Sequence, residues 1–307
     1  METEKISLRN LICDITYKHL KKYKSFIFGQ NLLGVGLVDG TLPKNLKEKD
    51  GVVDLPMADV AGGGIVVGSA LLGRKPFYII RYQGYNWFNM IFIINYACKS
   101  KSIWKKPAPI FIRGIANEGS VGPVAGSAHI SQFYKMPGIK IFSPITAKEY
   151  LRVYNEFLSD NEVYYISEHR KTFSNSGTFK NSYCKNPEIT LILNSITRHL
   201  EIDILDFAKN IKLRISIIHI FRIKPLFLSI LDKKILSSTK KGIIICDNDY
   251  IEGMPSIISA KIMNLVNCNI YLMGLKNKTA GHHPKKDLLP PSSLDLINKI
   301  KKVLDLN

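Results

Sequence analysis

The sequence predicts an α/β protein of two domains, each a mostly parallel sheet flanked by helices, and three observations carry that expectation. Apolar runs of strand length alternate with amphipathic helical stretches almost from end to end, the pattern of parallel sheets wrapped by helices. A polar, structure-poor stretch interrupts the alternation past the middle. The length of 307 residues is long for one domain and comfortable for two, since domains run to roughly 100–200 residues. Hydrophobic residues make up 46% and charged residues 22%, so a compact core is affordable and disorder is not expected.

In the first half the apolar spacing predicts helices near Ser7 to Lys22, Val60 to Leu72, Phe88 to Ser100 and Ala147 to Leu158. Between them, short β-branched and aromatic runs predict strands at Ser25 to Phe28, Phe77 to Arg81, Pro109 to Arg113, Lys140 to Ser143 and Val163 to Ser167. The stretch from His169 to Pro187, with Ser174-Asn175-Ser176-Gly177 and Lys185-Asn186-Pro187, has the composition of a connection. This gives domains at 1–170 and 188–307 around a linker at 171–187. Strands resume at Thr190 to Leu193, Arg214 to Ile220, Gly242 to Cys246 and Asn269 to Met273. After Pro290-Pro291-Ser292-Ser293 a serine can cap a last helix running to about Leu304. There is no short tandem repeat.

Composition narrows the function classes. The net charge of +18 invites a nucleic-acid partner, but the lysines are spread along the chain. The richest clusters, Lys21-Lys22-Tyr23-Lys24, Lys240-Lys241 and Lys299 with Lys301-Lys302, end helices or enter strands, where solvated cations are ordinary. No nucleic acid is expected; an acidic partner surface or a phosphorylated substrate suits the charge equally well. The start, Met1-Glu2-Thr3-Glu4-Lys5, is not that of an export signal, and no apolar run approaches the roughly 20 residues that span a bilayer. The five cysteines, Cys13, Cys98, Cys184, Cys246 and Cys268, are odd in number and scattered, which points to a reduced cytoplasm and to no metal held by this chain.

The informative segment is Asp54-Leu55-Pro56-Met57-Ala58-Asp59-Val60-Ala61-Gly62-Gly63-Gly64, continuing to Ala70. An extended approach delivers an acid, Asp59, to the start of a glycine-rich helix, where another backbone can come close. Taken alone, this is equally an aspartate that caps a helix.

Further segments follow in a fixed order: Gly73-Arg74-Lys75-Pro76, then Asn95-Tyr96-Ala97-Cys98-Lys99, Pro109-Ile110-Phe111-Ile112-Arg113-Gly114, Met136-Pro137-Gly138-Ile139-Lys140-Ile141-Phe142-Ser143-Pro144 and Phe221-Arg222-Ile223-Lys224-Pro225. With the Asp54 to Ala70 element, they resemble the β subunits of the first component of 2-oxoacid dehydrogenases and, more distantly, the pyrimidine-binding domain of transketolases. The resemblance runs nearly the whole length. It implies a transketolase-like pyrimidine-binding domain followed by a transketolase C-terminal-like domain.

It also implies thiamine diphosphate, with Asp59 standing where the family has its catalytic glutamate. There a carboxyl group bonded to a pyrimidine ring nitrogen favours the imino tautomer, whose exocyclic nitrogen acts as an internal base. Aspartate is one methylene shorter, a retreat of about 1.5 Å on a fixed backbone, and such a misplacement can cost about a hundredfold in rate. Glu118, in the polar loop from Ala116 to Ser120, is a possible substitute or a solvated loop residue. Tyr85 falls where the family places an aromatic ring against the aminopyrimidine, and Gln83 would share its face if the segment is extended. Alternatively Tyr82, Tyr85, Trp87, Phe88 and Phe92 are core or interface aromatics.

His129, in Ser127-Ala128-His129-Ile130-Ser131-Gln132, resembles the family's substrate-facing histidine, which exchanges protons with the reacting intermediate. Its loop is about three residues longer before the histidine and about four shorter after it than in the family. His282 and His283 are candidate substrate contacts. Arg81 and Arg113 could meet an anionic substrate or serve structural ion pairs.

The family's Gly-Asp-Gly magnesium motif is absent, and neither Val38-Asp39-Gly40 nor Asp247-Asn248-Asp249 reproduces it. The diphosphate and its magnesium are therefore expected on an α-type partner subunit, in a heterotetramer with a shared active site. The reaction class implied is decarboxylation of a 2-oxoacid or transfer of an acyl or ketol fragment. A noncatalytic subunit that keeps the fold for assembly or regulation is the alternative.

Overall fold

The computed structural model describes residues 6–34, 37–117, 122, 124–126 and 128–306. The chain divides into two compact units, one of residues 1–117 and 132–178, the other of residues 118–131 and 179–307.

In the first unit α1 (Leu8–Tyr23) leads to β1 (Ile27–Gln30), a short turn α2 (Leu37–Gly40) and β2 (Val52–Leu55). There follow α3 (Asp59–Leu71), β3 (Phe77–Ile80), α4 (Asn86–Asn89), α5 (Cys98–Trp104), β4 (Phe111–Ala116), β5 (Ile139–Phe142), α6 (Ala147–Ser159) and β6 (Val163–His169). Six strands pair in the order β2-β1-β3-β4-β6-β5, and each adjacent pair is parallel. The central strands β3, β4 and β6 are buried along their whole length, as expected of strands covered on both faces.

The helix starts follow local chemistry. The Ser7 hydroxyl accepts the Asn10 N–H at 3.2 Å to open α1, and Thr146 accepts the Glu149 N–H at 3.2 Å to open α6. The predicted helix Phe88 to Ser100 is instead divided. Its helical path breaks near Met90 and passes through a π turn at Ile93–Ala97 before α5. Periodicity predicts the helical path but not the extra residue that a π turn inserts. The Val52–Leu55 segment, expected only as an extended approach, is a paired edge strand.

Two buried polar groups anchor this unit. Arg113 and Glu168, both fully buried, form a two-point ion pair at 2.8 and 2.9 Å; the Tyr150 hydroxyl also donates to the Glu168 Oε1 of that pair, and Arg113 Nη2 also donates to the Thr41 hydroxyl. Arg113 thus serves a structural pair, while Arg81 donates to the Asn31 carbonyl at 2.9 Å. His19 stacks on Phe77 with 4.2 Å between centroids, and burial lowers its pKa to about 4.

The second unit contains β7 (Ile189–Asn194), α7 (Glu201–Asn210), β8 (Ile215–Ile220), a short β9 (Arg222–Lys224), α8 (Ile230–Ser238), β10 (Gly242–Tyr250), α9 (Met254–Ile262), β11 (Asn269–Leu275) and α10 (Ser293–Val303). Four strands form a parallel sheet in the order β11-β10-β7-β8. Its core is aliphatic, with Leu191, Leu193, Ile217 and Ile244 meeting Ile204 of α7 and Leu296 of α10. Ser292 caps α10 as expected, and the Asp295 carboxylate returns a bond to the Ser292 N–H at 2.8 Å.

Candidate active site

The candidate site of the first unit is built at the carboxyl ends of β1 and β2, where ligands of open α/β sheets bind. The loop after β1 is fixed by Asp54 of β2, whose carboxylate accepts the Leu32 and Leu33 N–H groups at 3.0 and 3.2 Å. The chain then turns through Pro56 and enters α3 at Asp59.

Asp59 does not cap this helix. The cap position is Ala58, which offers no side-chain bond. The half-buried Asp59 carboxylate turns instead to two side-chain amides. Gln30, at the end of β1, donates to Oδ1 at 2.5 Å, and Asn89, at the end of α4, donates to the same oxygen at 2.8 Å. Among the described residues Oδ2 receives no donor. One oxygen is therefore fixed, and the other is available to a ligand.

Asn89 also binds Tyr85, giving its amide to the Tyr85 carbonyl at 2.9 Å, and its own oxygen accepts the buried Tyr78 hydroxyl. Burial, and next the charge of Asp59, raise the Tyr78 pKa. The close approach of α4 to α3 depends on Gly63, because a Cβ there would lie 2.4 Å from the Asn89 carbonyl oxygen. Gly63 thus admits a backbone of the same chain. Beside Asp59 lies a cavity of about 630 Å³ lined by Ala58, Asp59, Val60, Ala61, Phe88 and Phe92, a volume within the range of small-molecule sites.

The other expected site residues are distributed as follows. Tyr85 is half-buried with its ring 6.0 Å from that of Tyr82, and it is not among the residues lining the cavity. Gln83 is fully buried and donates to the Gly114 carbonyl at 3.1 Å and the Ser167 hydroxyl at 2.7 Å. The segment Gln83–Tyr85 is a 3-10 turn and not extended. At about 120° per residue, that turn sends the two side chains in different directions, so they do not share a face.

His129 belongs to the second unit, half-buried, with its ring 6.1 Å from that of Tyr250 and 26° from parallel. Burial lowers its pKa. His282 sits in a turn closed against Lys285, and His283 is exposed. Glu118 lies outside the described residues. Among the described residues no three His, Cys, Asp or Glu side chains gather as metal ligands, and no helix is long and apolar enough to cross a membrane.

Sequence reasoning missed Gln30, Asn89 and Tyr78. The available signal was polar side chains at the ends of otherwise apolar strands and helices, which have to find partners when buried.

No family model matches the chain. The chain is 23% identical over 277 residues to the pyruvate dehydrogenase E1 component subunit beta of Rickettsia bellii, covering 82% of this chain and 83% of that one. Over 136 residues it is 31% identical to the mitochondrial pyruvate dehydrogenase E1 component subunit beta of Pisum sativum, covering 41% of this chain and 36% of that one. Among solved structures, a split-gene transketolase described as an inactive β4 tetramer matches with a TM-score of 0.73 at 13% identity, over 98% of this chain and 99% of that one. A transketolase from Campylobacter jejuni matches with a TM-score of 0.69 at 14% identity, over 99% of this chain and 47% of that one. Across most of its length the chain is thus similar in sequence to the β subunits of the pyruvate dehydrogenase first component, and it shares its fold with transketolases.

Proposed function

We propose that the chain is the β-type subunit of a thiamine-diphosphate-dependent enzyme acting on a 2-oxoacid or ketose, with its active site shared with an α-type subunit in a heterotetramer. The observation that carries this reading is the Asp59 carboxylate, fixed through one oxygen by Gln30 and Asn89 and placed on the wall of a cavity with its other oxygen unengaged by the described residues. An aminopyrimidine ring has apolar faces and a polar edge. Val60, Phe88 and Phe92 suit the faces, and the carboxylate suits a ring nitrogen.

When bound, the cofactor supplies a carbon nucleophile that adds to a carbonyl and then stabilises the negative charge left by bond cleavage. Asp59 holds the proton shared with the pyrimidine ring, and the Gln30 and Asn89 amides orient it. Tyr85 and Gln83 are assigned to shaping the pyrimidine pocket from outside this cavity, Tyr85 through the Asn89 amide that its carbonyl holds, and His129 exchanges protons with the substrate. Magnesium and the diphosphate are assigned to the partner, because this chain has no Gly-Asp-Gly.

A partner surface is supported by apolar side chains left exposed in the first unit, including Ile65 at 51% on α3, Leu72 at 83% just past its end and Trp87 at 67% on α4. Five free thiols suit a reduced cytoplasm. The second reading, a noncatalytic subunit, is favoured by the shorter acid at the family's glutamate position.

Calorimetric titration of thiamine diphosphate and magnesium into the chain alone, and into the chain with its partner, tests the division of labour. Tight magnesium-dependent binding to the isolated chain refutes it. With the reconstituted pair, Asp59→Ala is expected to lower carbon dioxide release or ketol transfer by about a hundredfold or more. An unchanged rate removes Asp59 from the mechanism.

A further inference from the structure

In the second unit the loop carrying His129 is fastened to the end of β10 through one buried carboxylate. Asp249 is 1% exposed. Its Oδ2 accepts the Ser131 N–H at 3.3 Å and the Met254 N–H at 3.4 Å, and its Oδ1 accepts the Tyr250 N–H at 2.8 Å. A single side chain thus ties the His129 loop, the end of β10 and the first turn of α9. The packing there is close, since a Cβ on Gly253 would lie 2.7 Å from both Asp249 Oδ2 and Ser131 Oγ.

The next residue holds the ring itself. Tyr250 lies against the His129 imidazole, 6.1 Å between centroids and 26° between planes. Asp249 therefore fixes the peptide two residues after the histidine, while Tyr250 limits the rotation of its side chain. A simple cap for α9 would need only the Met254 bond; the contacts to Ser131 and to the His129 ring go beyond that need.

We infer that Asp249 and Tyr250 are positioning residues for His129, so that the second unit sets the orientation of a proton-exchanging group that the first half of the sequence encodes. The inference rests on the proposed role of His129, and its test separates the two. A proton-transfer group loses rate steeply when displaced, about a hundredfold for 1 Å.

The experiment uses the full-length chain with carbon-13 in its histidine rings, the His129 signal being assigned by its loss in His129→Gln. Tyr250→Leu removes the neighbouring ring current and is expected to move the His129 signal while leaving those of His19 and His219 in place. Asp249→Ala is expected to speed exchange of the Ser131 amide hydrogen by about tenfold or more without changing exchange in β3 and β4. Asp249→Asn, which keeps an acceptor oxygen, should restore part of that protection.

In the reconstituted complex both Tyr250→Leu and Asp249→Ala should lower kcat about tenfold to a hundredfold with KM within about twofold. If the His129 signal and the Ser131 exchange match the parent in both variants, the positioning role is overturned. If they respond as expected while His129→Gln keeps full kcat, the clamp stands and the proton-exchange role of His129 is what fails.

Discussion

Asn89 gives one amide hydrogen to the carboxylate of Asp59, the acid proposed to start catalysis, at 2.8 Å. The other goes to the Tyr85 carbonyl, and the side-chain oxygen takes the Tyr78 hydroxyl. A neutral side chain 30 positions along the sequence thus sets the direction of the acid.

Asn89→Leu removes that donor and leaves the buried Tyr78 hydroxyl unpartnered, a cost of about 1–3 kcal/mol. The melting temperature should fall, and kcat of the reconstituted complex should drop about tenfold, the equivalent of about 1.4 kcal/mol. Gln30→Ala removes the other donor without stranding Tyr78, so it should lower kcat with little change in melting temperature. Calorimetry and steady-state kinetics on the two variants check the pair; unaltered kcat in both would show that neither amide orients the acid.

Much of the fold was legible because its signals are local. Helices α1 and α6 announce themselves by apolar period and by Ser7 and Thr146 at their caps, and the buried strands by β-branched and aromatic runs. In β2 the polar Asp54 interrupts a short apolar run that Pro56 closes, so it does not read as a strand, and the π turn at Ile93–Ala97 leaves the helical period of its segment intact while shifting its phase. Asp59 could be singled out by its place before a glycine-rich helix, but Gln30, 29 positions earlier, could not. Its role arises from the parallel pairing of β1 with β2, a relationship that a linear pattern does not encode. Gln83 was misdirected for a related reason: one 3-10 turn replaced the assumed extended segment and sent its amide into the core.

The Arg113–Glu168 pair yields a prediction about folding. Both side chains are fully buried, so removing one leaves a desolvated charge. Arg113→Met should destabilise the first unit by about 3–5 kcal/mol, and pairing it with Glu168→Leu should recover part of the loss by removing the stranded charge. Urea denaturation followed by a first-unit probe such as Trp87 or Trp104 reads the change. A double variant less stable than the single one would contradict the argument.

Asp247 makes the second unit sensitive to pH. It is fully buried at the end of β10, and burial, followed by the neighbouring Asp249 carboxylate, pushes its pKa from 3.8 up to about 7. The folded form therefore holds this proton more tightly than the unfolded chain. The stability linked to it is fully present below about pH 3.8 and is lost as pH rises through 7. Asp247→Asn removes the charge at little cost in shape. The Asn194 amide now donates to Asp247, and among the described residues Asn194 Oδ1 has no hydrogen-bond partner, so a rotated amide pair can satisfy both side chains. At pH 8 the variant should exceed the parent by on the order of 4 kcal/mol, and at pH 5 the gap should shrink to less than half of that. Melting temperatures at the two pH values measure this directly. A gap of the same size at both would mean that Asp247 does not titrate between them.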